Sequence, residues 1–468
     1  MTRYDIVIVG GGPGGYTAAI RASMRGARVA LVEQGRLGGV CLNCGCIPVK
    51  ALYRTAHHLR NLPRLQEHGI HVESSFVSAE AFARKAAIVA RLTKNVANLL
   101  KSHGVTLVRG RARLLGGGLV AVMQESGEEL HLEAQAIVVA TGTRPFLPKI
   151  WSDYAETSDE FLTVRTDCPR RLLVVGGGYI GCEMAAIMAS FRLDEVLLVE
   201  KAPELLRGFD QQAVKVMERE LSAAGVRIFK GTTLVALEKD THGTRAQLSS
   251  GETYETDAVL AAIGRRPNVE NLGLEAVGVK LAEDGAIAVD SRMRTNAENV
   301  YAIGDVTNIV QLATVAIYQG EVAVDNILGM DREADYRVIP STVFTFPEMA
   351  RVGLQEDECR AANLDYVVGS FPYVGCGKAQ CDGETLGAAK LLFAGGDGAL
   401  LGGMAYGEEA SLLVAEMAVA MRTNMRGMEL ADTVHAHPTL SEIVREAAAD
   451  GVGLCVHKAN IRNHRGMR

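Results

Sequence analysis

The sequence has few aromatic residues, no excess of basic charge and no long apolar run. Aromatic residues make up 5% of 468 positions, and the 49 Lys and Arg are outnumbered by 55 Asp and Glu. The net charge of −6 offers no basic field to nucleic acid or to an anionic membrane. No stretch approaches the roughly 18 uninterrupted apolar residues of a membrane span. We therefore expect neither a nucleic acid nor a membrane as partner.

The N-terminus also lacks the layout of a signal peptide, because MTRYDIVIVGGG runs directly into a predicted strand. We therefore expect a cytoplasmic location. The nine cysteines are an odd number spread over a long chain, which does not suit a secreted disulfide framework. Three of them lie close together, at Cys41, Cys44 and Cys46, so chemistry is expected there. The scattered remainder are expected to be buried, inert thiols: Cys168, Cys182, Cys359, Cys376, Cys381 and Cys455.

The chain is long enough for several domain cores, and it contains an internal repeat. Residues 4–33 and residues 171–200 both read as an apolar strand, a glycine turn, an alanine-rich helix and a second strand ending in Glu. Continuous runs such as IVIVG and LLVVG suit strands of a parallel sheet buried on both faces. The repeat predicts two βαβ units and two separate nucleotide sites.

The remaining segments complete this organisation. Apolar strands are predicted at 136–145 and 258–268, and a helix-rich stretch at about 79–103. After Pro340 the character changes to Gly-rich turns near 375–403 and a helical stretch at 410–428, which suggests an α+β module.

The first glycine turn is a GxGxxG motif formed by Gly10, Gly12 and Gly15. Gly10 permits the tight turn, Gly12 lets the backbone approach a pyrophosphate, and Gly15 allows close helix–strand packing. The pyrophosphate then lies at the helix N-terminus, and Glu33 can accept hydrogen bonds from ribose hydroxyls. Strand, helix and acidic residue all stand where a dinucleotide site requires them.

The second glycine turn repeats the motif with Gly176, Gly178 and Gly181. Glu200 ends its strand, and an acidic residue there favours NAD because it would repel the 2′-phosphate of NADP. Lys201 and Arg207 lie nearby and could bind that phosphate, so NADP remains the alternative.

A cysteine loop, GGVCLNCGCIPVKAL at 38–52, follows the first repeat directly. Cys41 and Cys46 are close enough in sequence to bridge if the intervening turn is distorted. A helix is predicted from about residue 51, so the cysteines should lie near a helix N-terminus, where the dipole stabilises a thiolate. Because the loop extends the first repeat, the first nucleotide should bring its reactive ring to the sulfurs, which points to a flavin there.

A structural zinc site is the alternative for this loop. It would use the three thiolates with His57 or His58. The spacing C-x2-C-x-C lacks the usual two-knuckle pattern of zinc sites, so the redox interpretation is favoured.

The chain resembles the class I pyridine nucleotide–disulfide oxidoreductase family along nearly its whole length. Within the family, the dihydrolipoamide dehydrogenases are the most similar branch, and glutathione and mercuric reductases are relatives. The shared motifs occur in the order VIVGGGPGGYTAA, GGVCLNCGCIPVK, VVATGTRP, TSDE, VVGGGYIGCE, IGRRPN, VYAIGDV, IPSTVFTFPEMARVG and HAHPTLSE.

The resemblance implies roles for the residues around the flavin. Cys46 would be the thiolate that faces the flavin and forms a charge-transfer contact, and Cys41 would be the thiol that attacks the substrate disulfide. Lys50 and Glu183 would pair beside the flavin N5. Tyr179 would be the gate over the nicotinamide pocket.

The resemblance also implies an acid/base and further cofactor contacts. His437 would be the acid/base, oriented by Glu442 and contributed from the other subunit of a homodimer. Histidine suits this task because its unperturbed pKa lies near 6.5, and a carboxylate on the second ring nitrogen fixes its tautomer. The implied further contacts are Asp305, Thr141 and Gly142 to FAD and Gly264 to NAD.

We therefore predict an α/β fold with two Rossmann-like dinucleotide-binding domains and a C-terminal α+β dimerisation domain. The predicted domains are FAD-binding at 1–150, NAD-binding at 151–270, a central segment completing the FAD-binding region at 271–340, and the interface at 341–468.

The predicted activity passes electrons between NAD(H) and a dithiol/disulfide through FAD and the Cys41–Cys46 pair. The expected partner is a lipoyl-bearing protein or a small dithiol/disulfide substrate. One alternative is an NAD(P)H-dependent reductase of another disulfide, such as a low-molecular-weight thiol. Another is a flavin-bearing redox sensor with little turnover.

Three features depart from the family patterns. Cys44 stands where an aliphatic residue is usual, either as a spectator or as a third exchange partner. Thr314 and Val315 replace the His and Lys of an LAHKA motif, which weakens a housekeeping role in the 2-oxo acid dehydrogenase complexes. Cys455 is single, whereas mercuric reductases carry a vicinal pair near their end.

Overall fold

The computed structural model describes residues 2–240 and 243–459, so the end of the predicted interface domain, 460–468, lies outside the described residues. The chain divides into two compact units. Unit one comprises Met1–Gly176, Ser190–Glu195 and Leu234–Asp335. Unit two comprises Gly177–Ala189, Val196–Thr233 and Tyr336–Arg468.

The strands are β1 (Thr2–Val9), β2 (Val29–Glu33), β3 (Thr106–Arg109), β4 (Arg111–Gly116), β5 (Leu119–Met123), β6 (Glu129–Val139), β7 (Thr143–Pro145), β8 (Glu156–Thr157), β9 (Arg171–Val175), β10 (Glu195–Glu200), β11 (Val226–Lys230), β12 (Leu234–Asp240), β13 (Gly243–Leu248), β14 (Thr253–Thr256), β15 (Ala258–Ala261), β16 (Arg265–Pro267), β17 (Val300–Ala302), β18 (Ser341–Val343), β19 (Met349–Gly353), β20 (Tyr366–Pro372), β21 (Ala388–Ala394) and β22 (Leu400–Tyr406).

The α-helices are α1 (Pro13–Met24), α2 (Gly39–Cys44), α3 (Cys46–Asn61), α4 (Ser78–Ser102), α5 (Ser158–Thr163), α6 (Tyr179–Ser190), α7 (Gln211–Ala223), α8 (Ala313–Ile327), α9 (Glu356–Ala361), α10 (Gly377–Asp382), α11 (Ala410–Arg422), α12 (Gly427–Asp432) and α13 (Glu442–Gly451). Within the described part of the chain, none is both long and apolar enough to cross a membrane.

The first repeat forms the centre of the main sheet of unit one. Its parallel strands stand in the order β3-β2-β1-β6, and β17 pairs with the end of β6. The consecutive residues Ile6, Val7 and Ile8 are all fully buried, so β1 is covered on both faces. The βαβ prediction for this repeat is confirmed, and the strand order is that of a Rossmann-like domain.

The second repeat is also built as predicted, from β9, α6 and β10. In unit one, β9 pairs in parallel with β15, and β15 pairs with β8. In unit two, β10 pairs in parallel with β11, with Val196 opposite Val226. Strands β12, β13 and β14 form a separate antiparallel sheet in unit one.

A two-stranded antiparallel ribbon joins two distant motifs in unit one. Strand β7, from VVATGTRP, pairs with β16, from IGRRPN, with Arg266 opposite Arg144. Beside it, the Asn268 side chain donates to the Thr141 carbonyl at 2.9 Å. The sequence predicted a strand through each motif, but the pairing between the two is decided by the tertiary structure.

The C-terminal part of unit two is an α+β module, as predicted. Its antiparallel sheet has the order β18-β19-β22-β21-β20, and its core includes Phe371, Phe393, Leu413 and Val444. The predicted helical stretch at 410–428 is wrong in one respect, because α11 ends at Arg422 and α12 begins at Gly427. Asn424, between them, adopts a φ of 53°, a left-handed conformation that a continuing α-helix excludes.

Candidate redox active site

The glycine turn of the first repeat leaves an open cradle at the N-terminus of α1. Gly10 has a φ of 110°, and a Cβ there would lie 2.3 Å from the Ala140 carbonyl oxygen. A Cβ on Gly15 would lie 1.9 Å from the Gly10 oxygen, so α1 packs against the turn without room for a side chain. A Cβ on Gly12 would meet no described atom nearer than 3.8 Å. The turn is therefore closed on its protein side and open where a phosphate would approach.

Glu33 is fixed at the rim of this cradle by two backbone donors. Its Oε2 accepts from the N–H of Gly11 at 2.6 Å, and its Oε1 accepts from the N–H of Gly35 at 2.6 Å. Hydrogen bonds to an ionised acceptor are strong, so the carboxylate is held at the end of β2. Its position fits a ribose-binding acceptor.

The second glycine turn has the same construction. Gly176 has a φ of 111°, and no described atom lies within 4 Å of the Cβ position of Gly178. The Glu200 carboxylate accepts from the N–H of Gly177 at 2.5 Å and from that of Ala202 at 2.6 Å. Both repeats therefore carry an acidic residue that is held by its own turn.

Two predicted residues follow this turn in unit two. Tyr179 begins α6, is exposed, and packs edge-on against the buried ring of Phe209 at a centroid distance of 5.6 Å. Glu183 is buried, and its Oε1 accepts from the N–H of Phe344 at 2.9 Å. Its predicted partner, Lys50, belongs to unit one.

The cysteine loop consists of two helices that meet at Gly45. Cys41 and Cys44 lie on α2, and Cys46 is the first residue of α3. The predicted helix start near residue 51 is therefore too late, because Pro48 stands within the first turn, where proline costs no intrahelical hydrogen bond. Cys46 occupies a helix N-terminus, where unpaired N–H groups and the helix dipole stabilise a thiolate.

The thiols of Cys41 and Cys46 are close enough to interact directly. The interaction with Cys46 and burial raise the pKa of Cys41, while the positive charge of Lys50 acts in the opposite direction. Cys41 therefore keeps its proton in the reduced pair, and Cys46 is the sulfur suited to ionise. The structure thus brings together the cysteine pair and Lys50.

Tyr16 is a neighbour of this pair that sequence reasoning missed. Burial and the charge of Cys41 raise the pKa of its phenol. The sequence signal for Tyr16 is its place in the VIVGGGPGGYTAA motif, in which only the glycines were assigned a role.

The remaining FAD and NAD candidates of unit one flank the β7–β16 ribbon. The Thr141 hydroxyl donates to the carbonyl of Asn268 at 2.7 Å. No described atom lies within 4 Å of the Cβ positions of Gly142 and Gly264, so both leave backbone accessible. Burial raises the pKa of Asp305, which lies in a short 3-10 helix.

Asp159 and Arg265 form an ion pair that sequence reasoning also missed. The Arg265 guanidinium donates to Asp159 Oδ1 at 3.0 Å, to the Thr143 hydroxyl at 2.9 Å and to the Thr143 carbonyl at 3.0 Å. The Thr143 hydroxyl donates to Asp305 at 3.2 Å. The signal for this connection was present, since TSDE and IGRRPN are both shared motifs, but neither residue was given a role.

His437 and Glu442 are paired in unit two, as the resemblance implied. His437 Nδ1 lies 2.9 Å from Glu442 Oε1, and Glu442 Oε2 accepts from the N–H of Thr439 at 2.9 Å. Burial raises the pKa of Glu442, but the bonds from His437 and Thr439 outweigh it, so the net shift is downward. The His437 side chain is 77% exposed, which leaves Nε2 accessible for proton exchange. The Nε2 of His435 instead lies 2.6 Å from Oε1 of Glu416.

The nine cysteines are all free thiols. Among the scattered ones, Cys182, Cys359 and Cys376 are buried as expected, whereas the expectation is wrong for Cys381, which is exposed. Within residues 2–240 and 243–459, no group of three or more His, Cys, Asp or Glu side chains is placed to hold a metal ion.

These features are typical of a nucleotide-linked thiol oxidoreductase. They are a thiol pair at a helix N-terminus, two glycine turns open to a dinucleotide, and a His–Glu pair. A family model described as pyridine nucleotide-disulphide oxidoreductase matches residues 4–320, and the dimerisation domain of that family matches residues 339–448. The chain therefore belongs to the pyridine nucleotide-disulphide oxidoreductase family. It is a flavoprotein enzyme that uses FAD and NAD, so the predicted fold, enzyme class and cofactors are confirmed.

The chain is similar to curated dihydrolipoyl dehydrogenases over nearly its whole length. It is 38% identical over 460 residues to that of Bacillus subtilis (strain 168) and 38% identical over 459 residues to that of Geobacillus stearothermophilus, with 97% of each chain covered in both comparisons.

Two solved structures share the fold. LpdA from Mycobacterium tuberculosis matches with a TM-score of 0.90 at 29% identity, over 96% of this chain and 99% of that one. The flavoprotein disulfide reductase RclA from Escherichia coli, in its Cu(II) complex, matches with a TM-score of 0.87 at 27% identity, over 96% and 99%. The dimerisation domain also supports the predicted homodimer.

Proposed function

We propose that this enzyme transfers electrons between NAD(H) and a dihydrolipoyl group through the Cys41–Cys46 pair. The observation that carries the proposal is the close approach of the Cys41 thiol, on α2, to that of Cys46, at the start of α3. Similarity to curated dihydrolipoyl dehydrogenases over 97% of the chain supports the substrate.

The proposed exchange begins with the oxidised Cys41–Cys46 disulfide. A thiolate of the dihydrolipoyl group attacks the sulfur of Cys41, so a mixed disulfide forms and Cys46 leaves as a thiolate. The second substrate thiolate then attacks the substrate sulfur of the mixed disulfide, which closes the lipoyl ring and releases Cys41. Two electrons now reside on the cysteine pair, and bound FAD supplies the two-electron exchange that links this pair to the nicotinamide.

His437 is proposed to move the protons of this exchange. Its Nε2 accepts the proton of the first substrate thiol as it attacks and passes it to solvent, and then accepts the proton of the second substrate thiol and returns it to the released Cys41 thiolate. Glu442 holds Nδ1 and stabilises the protonated ring. We propose that His437 serves the cysteine pair of the other subunit of a homodimer, an arrangement supported by the dimerisation domain that contains it.

The cofactor contacts are proposed as follows. Gly10, Gly12, Gly15, Glu33, Lys50, Thr141, Gly142 and Asp305 bind FAD, and Gly176, Gly178, Tyr179, Gly181, Glu200 and Gly264 bind NAD. Glu183 pairs with Lys50 near the flavin. The open Cβ positions of Gly12 and Gly178 support the two phosphate sites. The domain boundaries at 150, 270 and 340 and a cytoplasmic location, which suits a thiol pair that cycles, are part of the same proposal.

A second candidate function is reduction of a different disulfide, such as a low-molecular-weight thiol. It is favoured by Thr314 and Val315, which replace a His and a Lys at the start of α8. Val315 is buried, so this end of the helix offers no cation there. A physiological partner other than the 2-oxo acid dehydrogenase complexes would fit this change.

Steady-state assays separate these candidates. The purified holoenzyme is supplied with NADH or NADPH and with lipoamide or glutathione disulfide, and Cys46→Ser serves as the inactive control. We expect the wild-type enzyme to turn over NADH and lipoamide well above the rate of Cys46→Ser. Lipoamide turnover no greater than the control would reject the leading substrate, and loss of turnover with every disulfide tested would favour a redox sensor.

A further inference from the structure

The segment that connects the end of β10 to α7 lies against the second glycine turn. The backbone N–H of Leu206 donates to the carbonyl of Gly177 at 2.9 Å. Leu205 is fully buried, and a Cβ on Gly177 would lie only 2.4 Å from its Cδ2. We call residues 203–210 the coenzyme loop, because they follow the strand end that carries Glu200 and contact the turn at which NAD is proposed to bind.

The C-terminal end of the coenzyme loop contacts the proposed gate, Tyr179. Phe209 is buried, and its ring packs edge-on against that of Tyr179 at a centroid distance of 5.6 Å. The N–H of Phe209 donates to the carbonyl of Leu206 at 3.0 Å, so Phe209 is tied to the part of the loop that is bonded to the glycine turn. A shift of Phe209 would therefore change the support of the gate ring.

Asp210, the next residue, makes two different sets of bonds with its two oxygens. Its Oδ1 accepts from the N–H groups of Gln212 at 2.9 Å and Ala213 at 3.3 Å, which caps α7. Its Oδ2 accepts from the Nζ of Lys390 at 2.6 Å. The side chains of Asp210 and Lys390 are 10% and 16% exposed, so water screens this ion pair less than a surface pair.

Lys390 belongs to β21, in the antiparallel sheet of the C-terminal α+β module of unit two. Its Nζ also donates to Oε2 of Glu356, the first residue of α9, at 2.7 Å. Arg351, on β19 of the same sheet, donates to the carbonyl of Gly208. Two cations of one sheet therefore contact the residues on either side of Phe209.

We propose that Lys390 is a positioning residue for the nicotinamide coenzyme, which acts through Asp210 and Phe209 to hold the ring of Tyr179 at the second glycine turn. Without the cation, the carboxylates of Asp210 and Glu356 would remain close together in a shielded site and repel each other. The coenzyme loop would then shift at Phe209. Such a shift slows reduction of the flavin by NADH, because hydride transfer requires a precisely placed nicotinamide.

Three variants isolate the bond between Lys390 and Asp210. Lys390→Met removes the cation and keeps a long, unbranched side chain. Asp210→Ser removes the carboxylate but keeps an oxygen that can cap α7. It also leaves Lys390 paired with Glu356, so it tests the bond if Lys390→Met does not fold, which thermal melting reports. Lys458→Met is the matched control in the same unit, because Lys458 is ion-paired with Asp450 at 2.7 Å.

The first measurement follows the coenzyme loop without added nicotinamide. Arg207 is exposed, and trypsin cleaves after arginine. The rate of cleavage between Arg207 and Gly208 in the native protein therefore reports how readily the loop opens, and mass spectrometry identifies the cleaved bond. We expect Lys390→Met and Asp210→Ser to raise this rate by about 5- to 30-fold. Lys458→Met should remain within about twofold of the wild type.

The second measurement follows reduction of the flavin. The purified holoenzyme is mixed with NADH without oxygen, and the rate of flavin reduction is recorded against NADH concentration by stopped-flow absorbance. We expect Lys390→Met and Asp210→Ser to lower the second-order rate constant by about 10-fold or more. The double variant should lose no more than the worse single variant, since both changes break one bond.

An internal control uses the cysteine pair in the same variants. Reduction of the Cys41–Cys46 disulfide by dithiothreitol needs no nicotinamide, and alkylation followed by mass spectrometry counts the thiols released. This rate should stay within about twofold of the wild type in Lys390→Met and Asp210→Ser. Equal losses in NADH-driven and dithiothreitol-driven reduction would show general damage to the fold and would overturn the inference.

Other results would also reject the role of Lys390. These are wild-type cleavage or wild-type NADH kinetics in Lys390→Met and Asp210→Ser, additive losses in the double variant, and an equal loss in Lys458→Met. The inference rests on the proposed function in placing NAD at the second glycine turn. If NADH does not reduce the wild-type flavin, the proposed function fails and the inference with it. A wild-type flavin that NADH reduces, beside unaffected variants, rejects the inference alone.

Discussion

The carboxylate of Glu200 accepts a hydrogen bond from the backbone N–H of Gly177 at 2.5 Å. This bond holds the charge of Glu200 at the glycine turn of the second repeat, where the adenosine ribose of a dinucleotide would lie. The equivalent bond in the first repeat joins Glu33 to Gly11 at 2.6 Å. The two glycine turns therefore share one construction, and the carboxylate at the second turn is the position to change in a test of coenzyme choice.

Glu200→Ala should weaken discrimination between NADH and NADPH. Removing the carboxylate removes an acceptor for the 2′-hydroxyl and the repulsion of a 2′-phosphate, so the ratio of kcat/KM for NADH over NADPH should fall by about 10-fold or more. The ratio is measured by steady-state kinetics with one disulfide substrate. Lys201→Ala, at an exposed neighbouring position, is the control and should not lower the ratio. An unchanged ratio in Glu200→Ala would remove Glu200 from the NAD site.

His437→Gln should lower kcat by about 10²- to 10⁴-fold, the usual contribution of general acid–base catalysis. Glu442→Gln should cause a smaller loss, because the histidine remains but its tautomer is no longer fixed. His435→Gln is a matched control, since His435 has its own carboxylate partner in Glu416. Turnover with lipoamide is the readout, and loss in His435→Gln equal to that in His437→Gln would contradict the assignment.

The Gly15→Ala and Gly12→Ala variants should be impaired in different properties, the first in stability and the second in flavin binding. The Cβ on Gly15 would lie 1.9 Å from the Gly10 oxygen, so Gly15→Ala should destabilise the fold by about 1–3 kcal/mol. The Cβ of Gly12→Ala would meet no described atom nearer than 3.8 Å, so this variant should keep its thermal midpoint without cofactor but lose bound flavin. Thermal melting and the flavin-to-protein absorbance ratio separate the two. Equal flavin content in Gly12→Ala and wild type would place the phosphate elsewhere.

Asp325→Asn should lower the free energy of unfolding of unit one by about 2 kcal/mol. This lies between the losses typical of breaking an exposed and a buried ion pair. The Asp325 side chain is 2% exposed and pairs with Arg21, Arg25 and Arg332, whose side chains are partly exposed. Urea unfolding at neutral pH provides the measurement. Asp331→Asn, which removes a 79% exposed carboxylate paired with Arg292, is the control and should leave the midpoint unchanged.

The Asp325 contribution should also depend on pH. Burial raises the pKa of Asp325, but the bonds from Arg21 and Arg332 outweigh it and leave the pKa lowered. A carboxyl group whose pKa is lower in the folded state stabilises the fold above its unfolded pKa, near 3.9, and loses this contribution as pH falls through the folded pKa. The stability difference between wild type and Asp325→Asn should therefore be constant near neutral pH and shrink in acid. A difference that grows in acid would contradict this sign.

The cysteine loop shows why sequence reasoning located chemistry better than boundaries. The three crowded thiols were visible in the sequence, but the start of α3 was placed near residue 51 instead of at Cys46. Local pattern is weak near Gly45 and Pro48, because a glycine and a proline fit either a loop or the first turn of a helix. Tertiary packing of α3 resolved the choice.

By itself, the sequence determined the two βαβ repeats, the glycine cradles, the acidic strand ends and the thiols that carry the chemistry. These features depend on residue type and short spacing, which local physics fixes. Only the tertiary structure decided that the β7 and β16 motifs form one ribbon and that Arg265 bridges Asp159 and Thr143. These contacts join residues more than a hundred positions apart or on separate helices, where chain entropy is overcome only by packing of the whole unit.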